Sequence, residues 1–242
     1  MKFKALVTGS SRGMGYSIVE KLLQESSSVI GTSTKVDYPF EHSSYEHIQV
    51  DLSDPENIEY ALKSVFEGDD IPEVVVNNAG IFEDADFEID QNDWLANWDR
   101  TQQVNLRAPA IICKWAVNAW RKAGIKGRII NNASRAAYRG DTQEYASYAA
   151  SKGGLVAFTK SMARSLGEYG ITAYSISPGF VNTDMARDSI EVYGAEYLTK
   201  DLALNDIAPP EQIAEIVYLL ATGKLTHATG QNFHINSGSY IL

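Results

Sequence analysis

Short apolar runs alternate with longer stretches of helical period along almost the whole chain. Phe3 to Val7 is the first run, short enough for a buried strand. It passes into Thr8-Gly9-Ser10-Ser11-Arg12-Gly13-Met14-Gly15, then into Ile18, Val19, Leu22 and Leu23 at helical spacing. Ser28 to Thr32, Glu46 to Asp51 and Glu73 to Val76 read as the next three strands. The link between the second and third is short and contains Pro39, so its crossover helix should be short or distorted. Asp54-Pro55-Glu56 predicts a helix start, with Asp54 as N-cap and Pro55 at the first position, running to about Glu67. Asp93 to Ala123 has a long helical pattern, which Pro109 should bend, or break after Arg107. Arg128 to Asn131 and Ile171 to Ile176 are further strands. Between them a helix from Tyr148 to Tyr169 carries Leu155, Phe158, Met162, Ala163 and Leu166. Pro209-Pro210-Glu211 opens a helix to Thr222, and Asn232 to Ile235 closes the pattern as a strand.

This alternation predicts an α/β fold: a doubly wound parallel sheet with helices on both faces, Rossmann-like, in three α/β/α layers. One domain over residues 1–242 is expected, with the polar, irregular stretch 180–208 as a substrate lid. The carboxyl ends of the strands should converge on one edge. That edge collects the glycine loop, Asn77-Asn78-Ala79-Gly80, Asn132-Ala133-Ser134 and Ser177-Pro178-Gly179. A glycine loop between a strand and a helix start lets the backbone approach a pyrophosphate, and the helix N-terminus supplies N–H groups. The spacing here is G-x-x-x-G-x-G.

Tyr148 and Lys152 stand one turn apart on one helix face, a phenol beside an ammonium. A free tyrosine titrates near pH ~10 and is a poor acid–base group at neutral pH. A lysine charge about 4 Å away, at an effective dielectric of ~20, favours the phenolate by roughly 4 kcal/mol. That corresponds to about three pKa units, an upper figure. Tyr145 has Ala149 as its partner at the same spacing and gains nothing from it. Asn105 lies just before Pro109, where a freed backbone carbonyl and the Asn side chain could hold a water.

Composition narrows the partners. The net charge is −10, which argues against nucleic acid or an anionic membrane. No run of apolar residues is long enough to span a bilayer, and no leader is expected. The single cysteine, Cys113, excludes an internal disulfide and suits the cytoplasm. His42, His47, His227 and His234 lack ligand spacing, so no metal is expected. Trp94, Trp98, Trp115 and Trp120 fit core or subunit packing. Arg135 and Arg139 are either anchors for an anionic substrate or ordinary surface arginines.

The motifs T-G-S-S-R-G-M-G at 8–15, N-N-A-G at 77–80, Asn105, Ser134, Y-A-A-S-K at 148–152 and P-G-F-V-N-T-D-M at 178–185 stand in an order that resembles the short-chain dehydrogenase/reductase family over the whole chain. Ile30-Gly31-Thr32-Ser33 and Gly179-Phe180-Val181 are most similar to its 3-oxoacyl-carrier-protein reductases. The resemblance implies hydride transfer between a nicotinamide dinucleotide and a carbonyl or alcohol. Tyr148 would donate the proton, Lys152 would lower its pKa and bind the ribose, Ser134 would hold the substrate oxygen and Asn105 the relay water. The implied cofactor contacts are Gly9, Ser11, Arg12, Gly13, Met14, Gly15, Thr32, Ser33, Asp51, Leu52, Asn78, Ala79, Gly80, Tyr148, Lys152, Pro178, Gly179, Val181 and Thr183. The Ser134-to-Tyr148 spacing exceeds that of close relatives by one residue.

The second strand ends in Thr32-Ser33-Thr34-Lys35 without an acid, which favours NADP(H) over NAD(H). Thr32, Ser33, Arg12 and Lys35 are the candidates for a 2′-phosphate, and Asp37 is the acid an NAD enzyme would use. A homotetramer is expected, because Asp93–Ala123 and Tyr148–Tyr169 are apolar on more than one face and the family pairs these helices across a two-fold axis. The alternatives are an NAD-dependent sugar, polyol or hydroxy-acid dehydrogenase and, in another class, a nucleotide sensor without catalysis.

Overall fold

Strand β1 (Lys4–Thr8) enters helix α1 (Gly13–Gln24), and β2 (Ser28–Ser33) is followed by β3 (Tyr45–Gln49). Helix α2 (Pro55–Leu62) precedes β4 (Val74–Asn77). Then come α3 (Gln91–Gln102), α4 (Ala108–Ala123), β5 (Arg128–Asn132), the short α5 (Ala136–Arg139), α6 (Ala146–Leu166) and β6 (Thr172–Pro178). Helix α7 (Pro210–Ala221) and strand β7 (Asn232–Ile235) complete the order. The computed structural model describes residues 2–25, 27–37, 40–183, 196 and 199–241. Its seven strands form one parallel sheet in the order β3-β2-β1-β4-β5-β6-β7. This is the doubly wound α/β/α arrangement that the alternating pattern predicts.

The strands are apolar on both faces, as a sheet covered on both sides requires. Leu6, Val75 and Ile129 point to the layer of α2, α4 and α6, where Ile58, Leu62, Ile112, Trp120 and Leu166 meet them. Their strand neighbours Val7, Val76 and Ile130 point to the layer of α1 and α7, against Ile18, Leu22, Ile213 and Val217. Trp120 is fully buried and donates its indole N–H to the Pro72 carbonyl at 2.7 Å, so packing is its role. Trp94 and Trp98 stack on one another at 5.2 Å on α3. Cys113 is buried in α4 beneath Asn77, whose amide donates to Sγ at 3.3 Å.

Three expectations change. The crossover from β2 to β3 contains no helix among its described residues, 34–37 and 40–44; Pro39 lies outside them. Too little chain is available there for a helix and two turns. Helix α2 keeps its Asp54 cap, with Oδ1 accepting from Glu56 N and Asn57 N, but from Lys63 to Phe66 it tightens into a 3-10 turn. The third change is at Pro109. The long helix does not break; residues Gln103–Arg107 form a π turn, closed by Ala108 N donating to Gln103 O, and α4 continues from it. Proline cannot donate to the carbonyl four residues back, which is that of Asn105, and its ring crowds that oxygen. A wider turn accommodates both effects and is a common device at functional sites. About half of the predicted lid, residues 184–195 and 197–198 with Asp184 and Met185 among them, lies outside the described residues; its base is pinned by Val181 pairing with Ala208.

Candidate active site

The strand ends are tied together by side chains that register pairs across the sheet. Thr8 Oγ1, at the end of β1, accepts from Asn78 N at 3.0 Å and Ala79 N at 3.1 Å. Asn78 Nδ2 returns bonds to the Thr8 and Gly9 carbonyls at 3.0 and 3.2 Å. Asn132 Nδ2, one strand further on, donates to Asn78 Oδ1 at 3.0 Å. On the opposite face Asn77 donates to Asn131 Oδ1 at 2.8 Å, and Asn131 to Thr159 Oγ1 at 2.8 Å. The glycine loop is pulled into this lattice. Gly9 adopts φ +68°, and a Cβ on Gly15 would lie 1.9 Å from the Gly9 carbonyl. Only glycine at both positions lets the loop fold back over the start of α1.

A cleft opens beside this lattice. Gly9, Ser11, Arg12, Gly13, Met14 and Gly15 line one side. Thr32, Ser33, Asp51 and Leu52 line another, and Asn78, Ala79 and Gly80 form its floor, with Thr183 opposite Gly13. Fourteen of the sequence-predicted cofactor residues thus meet in one place. Pro178, Gly179 and Val181 do not reach its lining; they brace the neighbouring chain through Arg135 N to Pro178 O, Gly179 N to Ile235 O and the Val181–Ala208 pair. Lys35 and Asp37 are exposed and off the lining. The Ser33 hydroxyl is engaged in its own turn, accepting from Lys35 N at 3.2 Å and donating to Lys35 O at 3.3 Å, so it is a poorer phosphate donor than the sequence implies. Asp51 accepts from the Ser53 hydroxyl at 2.7 Å and the Ser53 amide at 2.8 Å, which holds its carboxyl below the usual range.

Off the lining but next to its floor stand Lys152 and Asn105, each 3.2 Å from where a Cβ on Gly80 would lie; Tyr148 is beside Lys152, and Ser134 is hydrogen-bonded to Tyr148. Ser134 Oγ accepts from Ala136 N at 3.1 Å, leaving its O–H to turn toward the Tyr148 phenol. Asn105 is 1% exposed, and its side chain is fully committed: Oδ1 accepts from Ile81 N at 2.9 Å, and Nδ2 donates to Ile81 O at 3.0 Å and Ser151 Oγ at 3.2 Å. Lys152 is 4% exposed, and Nζ donates to the Asn132 carbonyl at 2.8 Å. It sits 5.7 Å from the centre of the Tyr148 ring.

The electrostatics depart from the simple pair model. Burial lowers the Lys152 pKa to about 8. Burial also raises the Tyr148 pKa; the Ser134 hydrogen bond opposes this, Asp141 reinforces it and Arg135 lowers it. The ammonium is aimed at the Asn132 carbonyl and lies 5.7 Å from the centre of the Tyr148 ring, and the shift of the phenol is dominated by burial. Tyr145 has a structural role the sequence reading denied it. It stacks on Phe82 at 4.0 Å, and Phe82 meets the Tyr148 ring edge-on at 4.8 Å, which fixes the phenol's direction.

Sequence reasoning missed Asn132, Phe82 and Arg100. The signal for Asn132 is its placement at the end of β5, one residue beyond the Asn77–Asn131 register pair. Phe82 follows the N-N-A-G loop directly enough to have been suspected. Arg100, from α3, lines the cleft and pairs with Glu83; its place on a polar helix face gave no sign.

Comparison with known proteins agrees with this geometry. A family model described as enoyl-(acyl carrier protein) reductase matches residues 9–239. The chain is 33% identical over 248 residues to the 3-oxoacyl-[acyl-carrier-protein] reductase FabG of Vibrio cholerae, covering 98% of this chain and 97% of that one. It is 32% identical over 243 residues to the FabG of Escherichia coli, with the same coverage. The chain belongs to the short-chain dehydrogenase/reductase family. Among solved structures, a 4-hydroxyisoleucine dehydrogenase complexed with NADH matches with a TM-score of 0.88 at 27% identity, over 98% of both chains. A short chain dehydrogenase family protein from Francisella tularensis matches with a TM-score of 0.85 at 26% identity, over 99% of both chains. As a short-chain dehydrogenase/reductase the protein is an NAD(P)-dependent oxidoreductase. No described helix is long and apolar enough to cross a membrane.

The Lys152 environment of this short-chain dehydrogenase/reductase has a measurable signature. Its folded pKa of about 8 lies below the ordinary 10.5, so the folded state disfavours the charge. That cost is full below about pH 8 and fades as pH rises toward 10.5, where the unfolded chain also loses the proton. Wild type should gain about 2 kcal/mol relative to Lys152→Met between about pH 7 and 10. Urea unfolding of both proteins across that range checks this; a difference that stays flat with pH would place the lysine in a solvated setting.

Proposed function

We propose that the protein reduces a carbonyl compound, a 3-oxoacyl compound or related small ketone, to an alcohol with NADPH. The observation that carries this reading is the meeting of a phenol, a serine hydroxyl and a buried lysine beside the floor of a glycine-walled cleft. The cleft suits a dinucleotide. A Cβ on Gly80 would stand 3.2 Å from both Lys152 Nζ and Asn105 Oδ1, so a side chain at that position would crowd the lysine and the asparagine. When bound, the nicotinamide supplies a hydride to the carbonyl carbon. Tyr148 donates its proton to the carbonyl oxygen, and its raised pKa keeps that proton in place until charge develops there. Ser134 donates a hydrogen bond to the same oxygen and favours the developing alkoxide. Two O–H donors on one oxygen suit reduction of C=O, the reaction in the FabG relatives' name, better than the C=C reduction in the family model's description. Lys152, held by Asn132, contacts the nicotinamide ribose. Asn105 acts through its main-chain carbonyl, since its side chain is occupied and Pro109 offers no N–H to that oxygen; a water there returns the proton to Tyr148.

The NADP preference rests on Arg12, the exposed N-cap residue of α1 on the cleft lining, and on the lack of an acid at the end of β2. The competing NAD reading needs a carboxylate for the ribose hydroxyls, and Asp51 is the acid on that lining. The assembly we propose is a homotetramer, in keeping with exposed Phe87, Ile89 and Leu95 before and along α3.

Tyr148→Phe should lower kcat at least about a hundredfold and leave cofactor affinity nearly unchanged. Retention of more than about a tenth of wild-type kcat would remove Tyr148 from the acid's role. Wild type should prefer NADPH in kcat/KM, and Arg12→Ala should lose about tenfold or more with NADPH while NADH efficiency barely moves. A wild-type preference for NADH would move the ribose contact to an acid, with Asp51→Ala as the next variant. Light scattering at micromolar concentration should give four chain masses; a monomer would refute the assembly.

A further inference from the structure

Three successive carbonyls at the end of β2 are all turned toward β3. Ser33 O accepts from Val50 N at 2.9 Å, Thr34 O from Gln49 Nε2 at 3.0 Å and Lys35 O from His47 Nε2 at 3.0 Å. The first bond extends the strand ladder, in which Ser33 stands opposite Gln49. The other two come from side chains two residues apart on β3, hence on one face of it. Ser33 and Thr34 line the cofactor cleft, at the strand end where the adenosine ribose of a dinucleotide is read.

His47 is oriented for this contact from behind. Lys35 O can only accept, so Nε2 carries the hydrogen; in the neutral ring Nδ1 then accepts from the Tyr45 hydroxyl at 3.3 Å. Nε2 also lies 3.4 Å from Ser33 Oγ. Tyr45 Oη in turn stands 3.2 Å from Ser10 Oγ in the glycine loop. It reaches there over Gly31, where a Cβ would lie 2.3 Å from Tyr45 Oη. Gly31 is the β2 partner of His47 in the parallel register. Phe40 packs on Tyr45 at 5.0 Å, and Tyr16 stacks on Phe40 at 4.6 Å. The link from β2 to β3 has no helix among its described residues, so these side chains brace the turn where a crossover helix would otherwise pack.

We propose that His47 and Gln49 are positioning residues for cofactor choice: by holding the Lys35 and Thr34 carbonyls against β3, they keep negative dipole ends away from the ribose 2′ position and favour a cofactor with a phosphate there. This rests on the NADP reading and adds to it two residues that act from outside the cleft, since neither His47 nor Gln49 is on its lining. A carbonyl that swings into the cleft repels a phosphate but accepts from a ribose hydroxyl. Loss of either tether therefore moves the preference toward NAD.

The test is calorimetric titration of NADP⁺ and of NAD⁺ into full-length wild type, Gln49→Met, His47→Phe and His47→Gln. The Met and Phe substitutions keep bulk and remove the donor; His47→Gln keeps an N–H near the Nε2 position. Gln49→Met and His47→Phe should each lower the NADP⁺-over-NAD⁺ affinity ratio about fivefold, the scale of one hydrogen bond, with NAD⁺ binding unchanged or tighter. His47→Gln should keep most of the wild-type ratio. A ratio unmoved in both donor-free variants overturns the proposal, and so does equal weakening of both cofactors, which marks a merely structural role. Gln49 is exposed, so its variant serves even if His47→Phe fails to fold. The two readings fail separately. A wild type that prefers NAD⁺ sinks the NADP reading, while a ratio that still falls in the variants leaves the tethers standing. A wild type that prefers NADP⁺ with a ratio unmoved by the substitutions keeps that reading and sinks the tethers.

Discussion

The bonds from Thr8 to the backbone of Asn78 and Ala79 are the constraint on which the rest of this site depends. They join the ends of β1 and β4, the pair at which the winding of the sheet reverses and a crevice opens. Asn78 passes the constraint back to Gly9 and on to Asn132. Asn132 uses its carbonyl to hold Lys152. One lattice of short polar contacts therefore sets the glycine loop, the cleft floor and the buried lysine relative to each other. Thr8 and Asn78 use their side chains fully in this lattice, while the Asn132 side-chain oxygen is left without a hydrogen-bond partner.

The fold was legible because its pattern is redundant. Apolar runs buried on both faces, separated by helical periods, leave few arrangements other than a parallel sheet, and the Asp54-Pro55 start and the β7 strand were read to the residue. The turns that do not follow the pattern were less legible. The link after β2 proved to lack a helix among its described residues, and the effect of Pro109 was visible only as a disturbance. Whether a proline breaks a helix or widens it depends on what the neighbouring elements hold in place; here Asn105 is anchored to Ile81 and Ser151, so the chain widens instead of parting.

The site was legible in its membership and less so in its physics. Tyr148, Lys152, Ser134 and Asn105 do come together, and most of the expected cofactor residues share one cleft. Spacing on a helix could not reveal that Lys152 is desolvated and turned toward Asn132. Distance along the helix sets the possible Coulomb term; burial, which comes from other elements, decides its sign in practice. Phe82 and Asn132 were missed for a related reason. Their contribution is to direct a neighbour, and a side chain with that task carries no chemical signature of its own.

The buried thiol under the sheet has a practical side. Cys113 is the chain's single cysteine; burial raises its pKa to about 12, and it is shut in against the Asn77 amide. It is thus closed to maleimides and other thiol-directed reagents while the fold persists. A cysteine placed by mutagenesis on the surface would be the unique attachment point for a fluorophore or spin label, with no need to remove the native one.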